Sequence, residues 1–327
     1  MALVSLSLPS CAATQADVAT EEMRHLESLA EYADAKLGSS KHGYRADCDA
    51  LVVDLVEFAN DDIDVEADRF RCEREGVEPV GSIVYLIGGP YQDLGPFPEP
   101  YVASFLMAGY EVFVPRYSGT FSNTIATGRG LDQNAIEGNG ELGKAASEVE
   151  MMLRRLDDGK APVILAGVSA GGYLAAYTCA HREECTDDIL MVSPLMQSPN
   201  AFFEGFGDEA TGNSARNFIA DSQSNDAEKI DATGRRVTSI GFYGQSNWDT
   251  SLCDLLGQMP AGIDVRIFYG DEDPRIGIGE VTDLEAGCGA IEPQMSSYPD
   301  ASHSIIHGSA DGERQMIEWA GGDPPSR

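Results

Sequence analysis

The chain has 327 residues, and its 54 Asp and Glu outnumber its 22 Lys and Arg, for a formal net charge of -32 and a pI near 4.2. That surplus of carboxylates excludes nucleic acid as a default partner, because phosphate contacts need Lys and Arg. It also argues against docking on anionic lipid headgroups. A hydrophobic content of 43% is ordinary for a chain that buries a core, and the length suits one large α/β domain or two small ones.

The first residues form a short apolar run that ends Leu8-Pro9-Ser10-Cys11. The run lacks the basic start and the length of a secretory signal peptide, and nothing approaches the ~20 apolar residues of a membrane-spanning helix. It resembles the end of a bacterial lipoprotein signal, in which the Cys after a small residue carries the lipid. Cys11 is therefore a candidate lipid anchor, which would place the chain in a bacterial cell envelope or periplasm. A disordered tail in the cytosol is the alternative. The six other cysteines bear on the same choice. Nearness along the chain pairs Cys48 with Cys72, Cys179 with Cys185 and Cys253 with Cys288, and disulfides imply an oxidising compartment. Free thiols in a reducing cytosol are the competing reading. No Cys-x-x-Cys is present, so a zinc site is not expected.

Past residue 14, Val18, Met23, Leu26, Leu29, Ala33 and Leu37 recur mostly at helical steps, up to a stop at Gly38-Ser39-Ser40. Residues 50–58 and 63–72 then read as an antiparallel hairpin at a sheet edge, turning at Asn60-Asp61-Asp62. Residues 1–80 thus form an N-terminal tail, helix and edge hairpin ahead of a catalytic domain, 81–327. In that domain strands are expected at 83–87, 111–114, 162–166, 189–192, 237–243, 265–269 and 293–298. Helices are expected at 100–108, 143–156, 172–180, 249–259, 278–286 and 310–320. Such alternation implies a mostly parallel sheet with helices on both faces. Residues 118–140 form a loop rich in Gly, Ser, Thr and Asn. A polar stretch, 194–236, breaks the alternation. With Phe202, Phe203 and Phe206 near its start, it reads as a small cap insertion above the sheet.

The chemistry centres on Gly167-Val168-Ser169-Ala170-Gly171-Gly172. Alone, G-x-S-x-G is a weak signal in a chain with 35 glycines. Its place between an apolar strand and the start of a helix makes it the strand–turn–helix of a nucleophile elbow. The tight turn would strain the Ser169 backbone and expose its hydroxyl at the C-terminal edge of the sheet. Gly167 and Gly171 clear the point where strand and helix approach. The Ala170 amide, at the helix N-terminus, can stabilise negative charge. An ordinary turn that contains a serine is the alternative.

A serine hydroxyl needs a base, and the chain has five histidines: His25, His42, His181, His303 and His307. His25 and His42 precede every strand, and His181 lies at the far end of the elbow helix. His303 follows the last strand, at the edge that carries Ser169, and is the expected general base and acid, with His307 as runner-up. The orienting carboxylate is expected in Gly270-Asp271-Glu272-Asp273-Pro274. Asp273 is the choice there, because the chain must bend after the strand before a side chain reaches the histidine. Asp271 and Glu272 read as solvated or structural, and Asp249 is an outside candidate. The order Ser169, Asp273, His303 is that of α/β-hydrolases. Gly88-Gly89-Pro90-Tyr91 follows the first core strand. The Gly89 amide would complete an oxyanion hole with Ala170, whereas Pro90 has no N–H to offer. Tyr91 would line the pocket or donate its hydroxyl. A plain turn is the alternative here too.

The stretch from Gly81 onward resembles the catalytic domain of the prolyl oligopeptidase family. The likeness rests on Ile87-Gly88-Gly89-Pro90, Ala108-Gly109-Tyr110, Pro115-Arg116-Tyr117-Ser118-Gly119-Thr120, the elbow through Tyr173, and Gly270 to Ile276 ahead of His303. It implies an α/β-hydrolase fold with Ser169 as nucleophile, Asp273 as orienter, His303 as base and the Gly89 and Ala170 amides as oxyanion hole. Ile87 stands where the family often has His or Tyr. The roughly 80 residues before the core are too few for the family's β-propeller. The expected activity is that of a serine hydrolase cleaving an ester or a peptide/amide bond of a small-molecule or peptide substrate, with no metal or cofactor. An esterase or lipase-like enzyme without peptidase activity and a catalytically inactive binding protein on the same fold are the alternatives. The acidic shell would favour neutral or cationic substrates.

Overall fold

In the computed structural model the described residues are 48–60, 63–87, 101–116, 140–183, 185–196, 250–273, 278–301 and 310–320. An apolar-rich run, β1 (Ala50–Ala59), and an alternating one, β2 (Asp64–Glu73), pair antiparallel from Ala50↔Glu73 to Ala59↔Asp64. At the turn, the Asn60 side chain accepts from the Ile63 N–H at 2.7 Å and the Asn60 N–H donates to the Ile63 carbonyl at 2.8 Å. Asp54 and Arg69 face each other across the pair. The Arg69 guanidinium donates to both carboxylate oxygens, with Nε 2.7 Å from Oδ1. That contact holds the Asp54 carboxyl below its usual range, against the opposing effect of partial burial.

The hairpin belongs to a larger sheet. Its other strands are β3 (Ser82–Leu86), β4 (Glu111–Arg116), β5 (Val163–Val168), β6 (Asp188–Val192), β7 (Asp264–Gly270) and β8 (Gln294–Tyr298), in the order β1-β2-β4-β3-β5-β6-β7-β8. β2 runs antiparallel to β4, and every pairing from β4 to β8 is parallel. Strands covered on both faces read as continuous apolar runs, and β3 is buried at all five positions. Alternate residues feed two separate cores. Val84, Leu86, Leu165 and Met191 pack with α2 (Gly140–Leu156), α3 (Ala170–His181) and α4 (Leu252–Gln258). Ile83, Tyr85, Ile164, Leu190 and Phe268 pack with α1 (Tyr101–Met107) and α6 (Ala310–Trp319). α5 (Ile278–Glu285) contributes Leu284 to the first core. α3 is apolar around its circumference, as a helix enclosed by neighbours must be. Buried in it are Leu174, Ala175, Ala176 and Cys179.

Several boundaries differ from those expected. β4 runs on to Arg116 because β2 pairs with it there, Ala67 opposite Pro115 and Glu66 opposite Arg116. β5 continues through Gly167 and Val168, which pair with Met191 and Val192 of β6. α3 accordingly starts at Ala170, with no residue to spare between strand and helix but Ser169. α4 starts later than expected, behind a reciprocal capping box in which Ser251 Oγ accepts from the Asp254 N–H at 3.1 Å. β6 pairs directly with β7. The expected strand at 237–243, the N-terminal helix, the 118–139 loop and nearly all of the 194–236 insertion lie outside the described residues.

Three disulfides join Cys48–Cys72, Cys179–Cys185 and Cys253–Cys288, with Cα separations of 5.2, 5.0 and 5.2 Å, inside the range such bonds require. These are the pairs that nearness in sequence selects. They tie the base of the hairpin, the end of α3 to the approach of β6, and α4 to the segment ahead of β8. Cys11 lies outside the described residues. Among those residues no helix is long and apolar enough to cross a membrane.

Candidate active site

β5 lies in the middle of the sheet, between β3 and β6. Its chain turns into α3 through one residue, Ser169, at φ 54° and ψ -121°. An L-residue rarely holds that backbone, and doing so costs about 1–3 kcal/mol. Four hydrogen bonds hold it. The Ser169 N–H donates to the Val192 carbonyl at 3.0 Å, and the Ser169 carbonyl accepts from Gly172, Leu195 and Tyr173 at 3.1, 3.2 and 3.3 Å. The residue is half-buried. A Cβ on Gly167 would sit 2.4 Å from the Gly171 carbonyl oxygen, and a Cβ on Gly171 would sit 2.1 Å from the Leu86 carbonyl oxygen. The glycines of the motif are therefore required by backbone packed against backbone. The same contact presses the elbow against the end of β3, which leads into Gly88 and Gly89.

Among the described residues, the non-glycine residues at positive φ are Ser169, Ser193 and Asp300. They follow β5, β6 and β8, so the strain gathers at the C-terminal edge of the sheet. Backbone strain of this kind concentrates at functional sites. Ser193 is fully buried and its N–H donates to the Phe268 carbonyl at 2.7 Å. Its Oγ has no hydrogen-bond partner among the described residues. Nothing in its sequence neighbourhood, Val192-Ser193-Pro194, marks it, because no glycine announces the positive φ.

Asp273 follows β7 at the same edge. It is 4% exposed, whereas Asp271 and Glu272 are exposed. The loop that carries it is fastened to the loop after β8. The Asp271 N–H donates to the Tyr298 carbonyl at 3.1 Å and the Glu272 N–H to the Ala301 carbonyl at 3.0 Å. His303, two residues past Ala301, lies outside the described residues, as do His307, Asp249, Gly88, Gly89, Pro90, Tyr91, Phe202, Phe203 and Phe206. Ala170 is the first residue of α3. His181 ends that helix, about 18 Å along its axis from the elbow. It sits edge-on against Tyr177 with ring centroids 4.4 Å apart. Burial and the neighbouring Arg182 lower its pKa, and it has no part in this edge.

No protein-family model and no curated protein sequence matches the chain. Solved structures do. A thermostable esterase from Pseudomonas putida superposes with a TM-score of 0.55 at 13% identity, over 91% of this chain and 95% of that one. A soluble variant of a monoglyceride lipase from Saccharomyces cerevisiae, in complex with a substrate analogue, gives 0.52 at 14% identity, over 85% of this chain and 97% of that one. An acylaminoacyl peptidase from Pyrococcus horikoshii gives 0.49 at 15% identity over 82% of this chain. The chain spans 41% of the length of that peptidase, and the superposition is too loose to carry an argument. The strand order and the likenesses to the esterase and the lipase identify the α/β-hydrolase fold.

Proposed function

We propose that the protein is a serine hydrolase that cleaves an ester or amide bond through an acyl-enzyme on Ser169. One observation carries the reading. Ser169 is held in a strained one-residue turn between β5 and α3, at the sheet edge where Asp273 is buried. In the proposed chemistry His303 takes the hydroxyl proton as Ser169 Oγ attacks the acyl carbon, then gives it to the leaving alcohol or amine. Water repeats the sequence to release the acid. Asp273 fixes the tautomer of the imidazole. His303 follows Ala301 by two positions in sequence, and the Ala301 carbonyl accepts from the Glu272 N–H of the Asp273 loop. The Ala170 and Gly89 amides would hold the oxyanion, one such donor being worth about 3 kcal/mol of barrier.

The motifs shared with the prolyl oligopeptidase family support a catalytic domain of that kind. The esterase and the monoglyceride lipase among the structural neighbours favour esters over peptides. The acidic surface favours neutral or cationic acyl compounds. The hairpin and residues before it are read as an N-terminal extension, and 194–236 as a cap. The three disulfides support an oxidising compartment, the bacterial envelope or periplasm, with a lipid on Cys11 as the anchor. A fluorophosphonate should label wild type at Ser169 and leave Ser169→Ala unlabelled. A panel of acyl esters and aminoacyl amides then separates esterase from peptidase. Labelling that survives Ser169→Ala would falsify the assignment, and a labelled protein that turns over no activated ester would be a binding protein on a hydrolase fold.

A further inference from the structure

The turn at Ser169 is braced from a distant part of the chain. Tyr173, in the first turn of α3, is 2% exposed, and its hydroxyl donates to the Thr250 carbonyl at 2.8 Å, across 77 positions. Its own N–H donates to the Ser169 carbonyl at 3.3 Å. That carbonyl also accepts from the Leu195 N–H at 3.2 Å, and the Met196 carbonyl, one residue on, accepts from the Leu252 N–H at 2.9 Å. Thr250 and Leu252 flank Ser251, which is fixed in turn by the capping box of α4. With the backbone from Thr250 to Leu252 and from Leu195 to Met196, the hydrogen bonds close a circuit: Ser169, Tyr173, Thr250, Leu252, Met196, Leu195 and back to Ser169.

The circuit stands where the chain leaves the sheet after β6 and returns to α4, and it touches the strained residue from both sides. A strained backbone persists only where its surroundings over-determine it. We propose that Tyr173 is a positioning residue for Ser169. Its hydroxyl secures Thr250, which holds the Met196–Leu252 bond in place, and so keeps the Leu195 N–H on the Ser169 carbonyl. The hydroxyl touches no reacting atom; it acts through the backbone that aims Ser169 Oγ. The inference rests on the proposed role of Ser169 as nucleophile.

Tyr173→Phe keeps the ring and its packing and deletes the one donor. In the full-length chain, fluorophosphonate labelling gives two readouts. The amplitude at saturation counts folded sites, and the rate constant reads the aim of the nucleophile. The labelling rate and the kcat for p-nitrophenyl acetate should fall about ten-fold, with KM changed less than about two-fold and the amplitude kept. An unchanged rate, a change confined to KM, or a rate loss matched by loss of amplitude and of far-UV circular dichroism would each overturn the inference. Wild type that fails to label at Ser169 would overturn the reading beneath it as well, so the two failures are told apart.

Discussion

Gly171 offers the sharpest test of how the elbow is built. An alanine there places a Cβ 2.1 Å from the Leu86 carbonyl oxygen, 2.6 Å from its carbon and 2.7 Å from the Ile87 carbonyl oxygen. All three are backbone atoms, so no side chain can rotate away. Reaching even 3.0 Å, the shortest separation real Cβ atoms tolerate, needs about 1 Å of movement of α3 against β3. Overpacking of this kind costs about 1–3 kcal/mol, and backbone against backbone belongs at the upper end. In a domain of this size that lowers Tm on the order of 5 °C. The same movement displaces Ser169, and an error of about 1 Å at a reacting group costs roughly a hundred-fold in rate. Gly171→Ala should therefore lose both stability, read by urea denaturation, and fluorophosphonate labelling rate. Gly159→Ala is the control. It has positive φ but nothing within 4 Å of the new Cβ, so it should cost about 1 kcal/mol and leave the rate untouched. A Gly171→Ala protein as stable and as fast as wild type would show that the strand–helix contact does not set the turn.

Other expectations follow from the same geometry. Asp273→Asn should lower kcat by about ten thousand-fold, while the exposed Asp271→Asn leaves it within about two-fold; equal effects would remove Asp273 from the triad. The loops closed by the disulfides span 35, 24 and 6 positions. Chain entropy ranks their contributions at about 4, 3.5 and 2 kcal/mol, so paired Cys→Ser variants should lose Tm most at Cys253–Cys288 and least at Cys179–Cys185. Burial, together with Asp264 and Asp187, raises the pKa of Asp188 above its ordinary 3.8, with Arg266 opposing. The folded state then binds this proton more tightly than the unfolded one, and stability is lost as pH rises from 3.8 through the raised value. Asp188→Asn should raise Tm at pH 7 and lose that gain below pH 3.8; a uniform change across pH would mean that the buried charge of Asp188 is not the cause.

The strands most legible from sequence were those whose burial leaves one signal. Ile83 to Leu86 is apolar because helices cover both faces, and 63–72 alternates along the hairpin it forms with the apolar-rich run 50–58. Gly167 and Pro115 misled the boundaries. Both read locally as strand breakers, yet ladder pairing on both flanks carries β5 through Gly167, and β2 pairs with β4 at Pro115. Local pattern carries no information on which strand lies beside which, so the hairpin's place next to β4 was not readable. At the site, G-x-S-x-G spelled out its turn because the steric demand falls on glycines adjacent in sequence. Asp273 is buried beside two exposed acids, a difference that three adjacent carboxylates do not spell out. The bond from Tyr173 to Thr250 left no trace, since it joins residues 77 positions apart and a buried tyrosine is ordinary.

The three disulfides have a property that depends only on their order. From Cys48 onward every cysteine is bonded to its immediate neighbour in sequence, so no bridge encloses or crosses another. A chain threaded through a pore from its N-terminus into an oxidising space could close each bridge as its second thiol emerges, before the next pair arrives. Native connectivity would then arise by order of emergence, without reshuffling. Cys11 breaks that rule: counted from it, neighbour-to-neighbour pairing slips by one and every bridge is wrong. Blocking this single thiol keeps the register, and oxidative refolding of Cys11→Ser should yield a larger native fraction by peptide mapping than wild type with its thiol free.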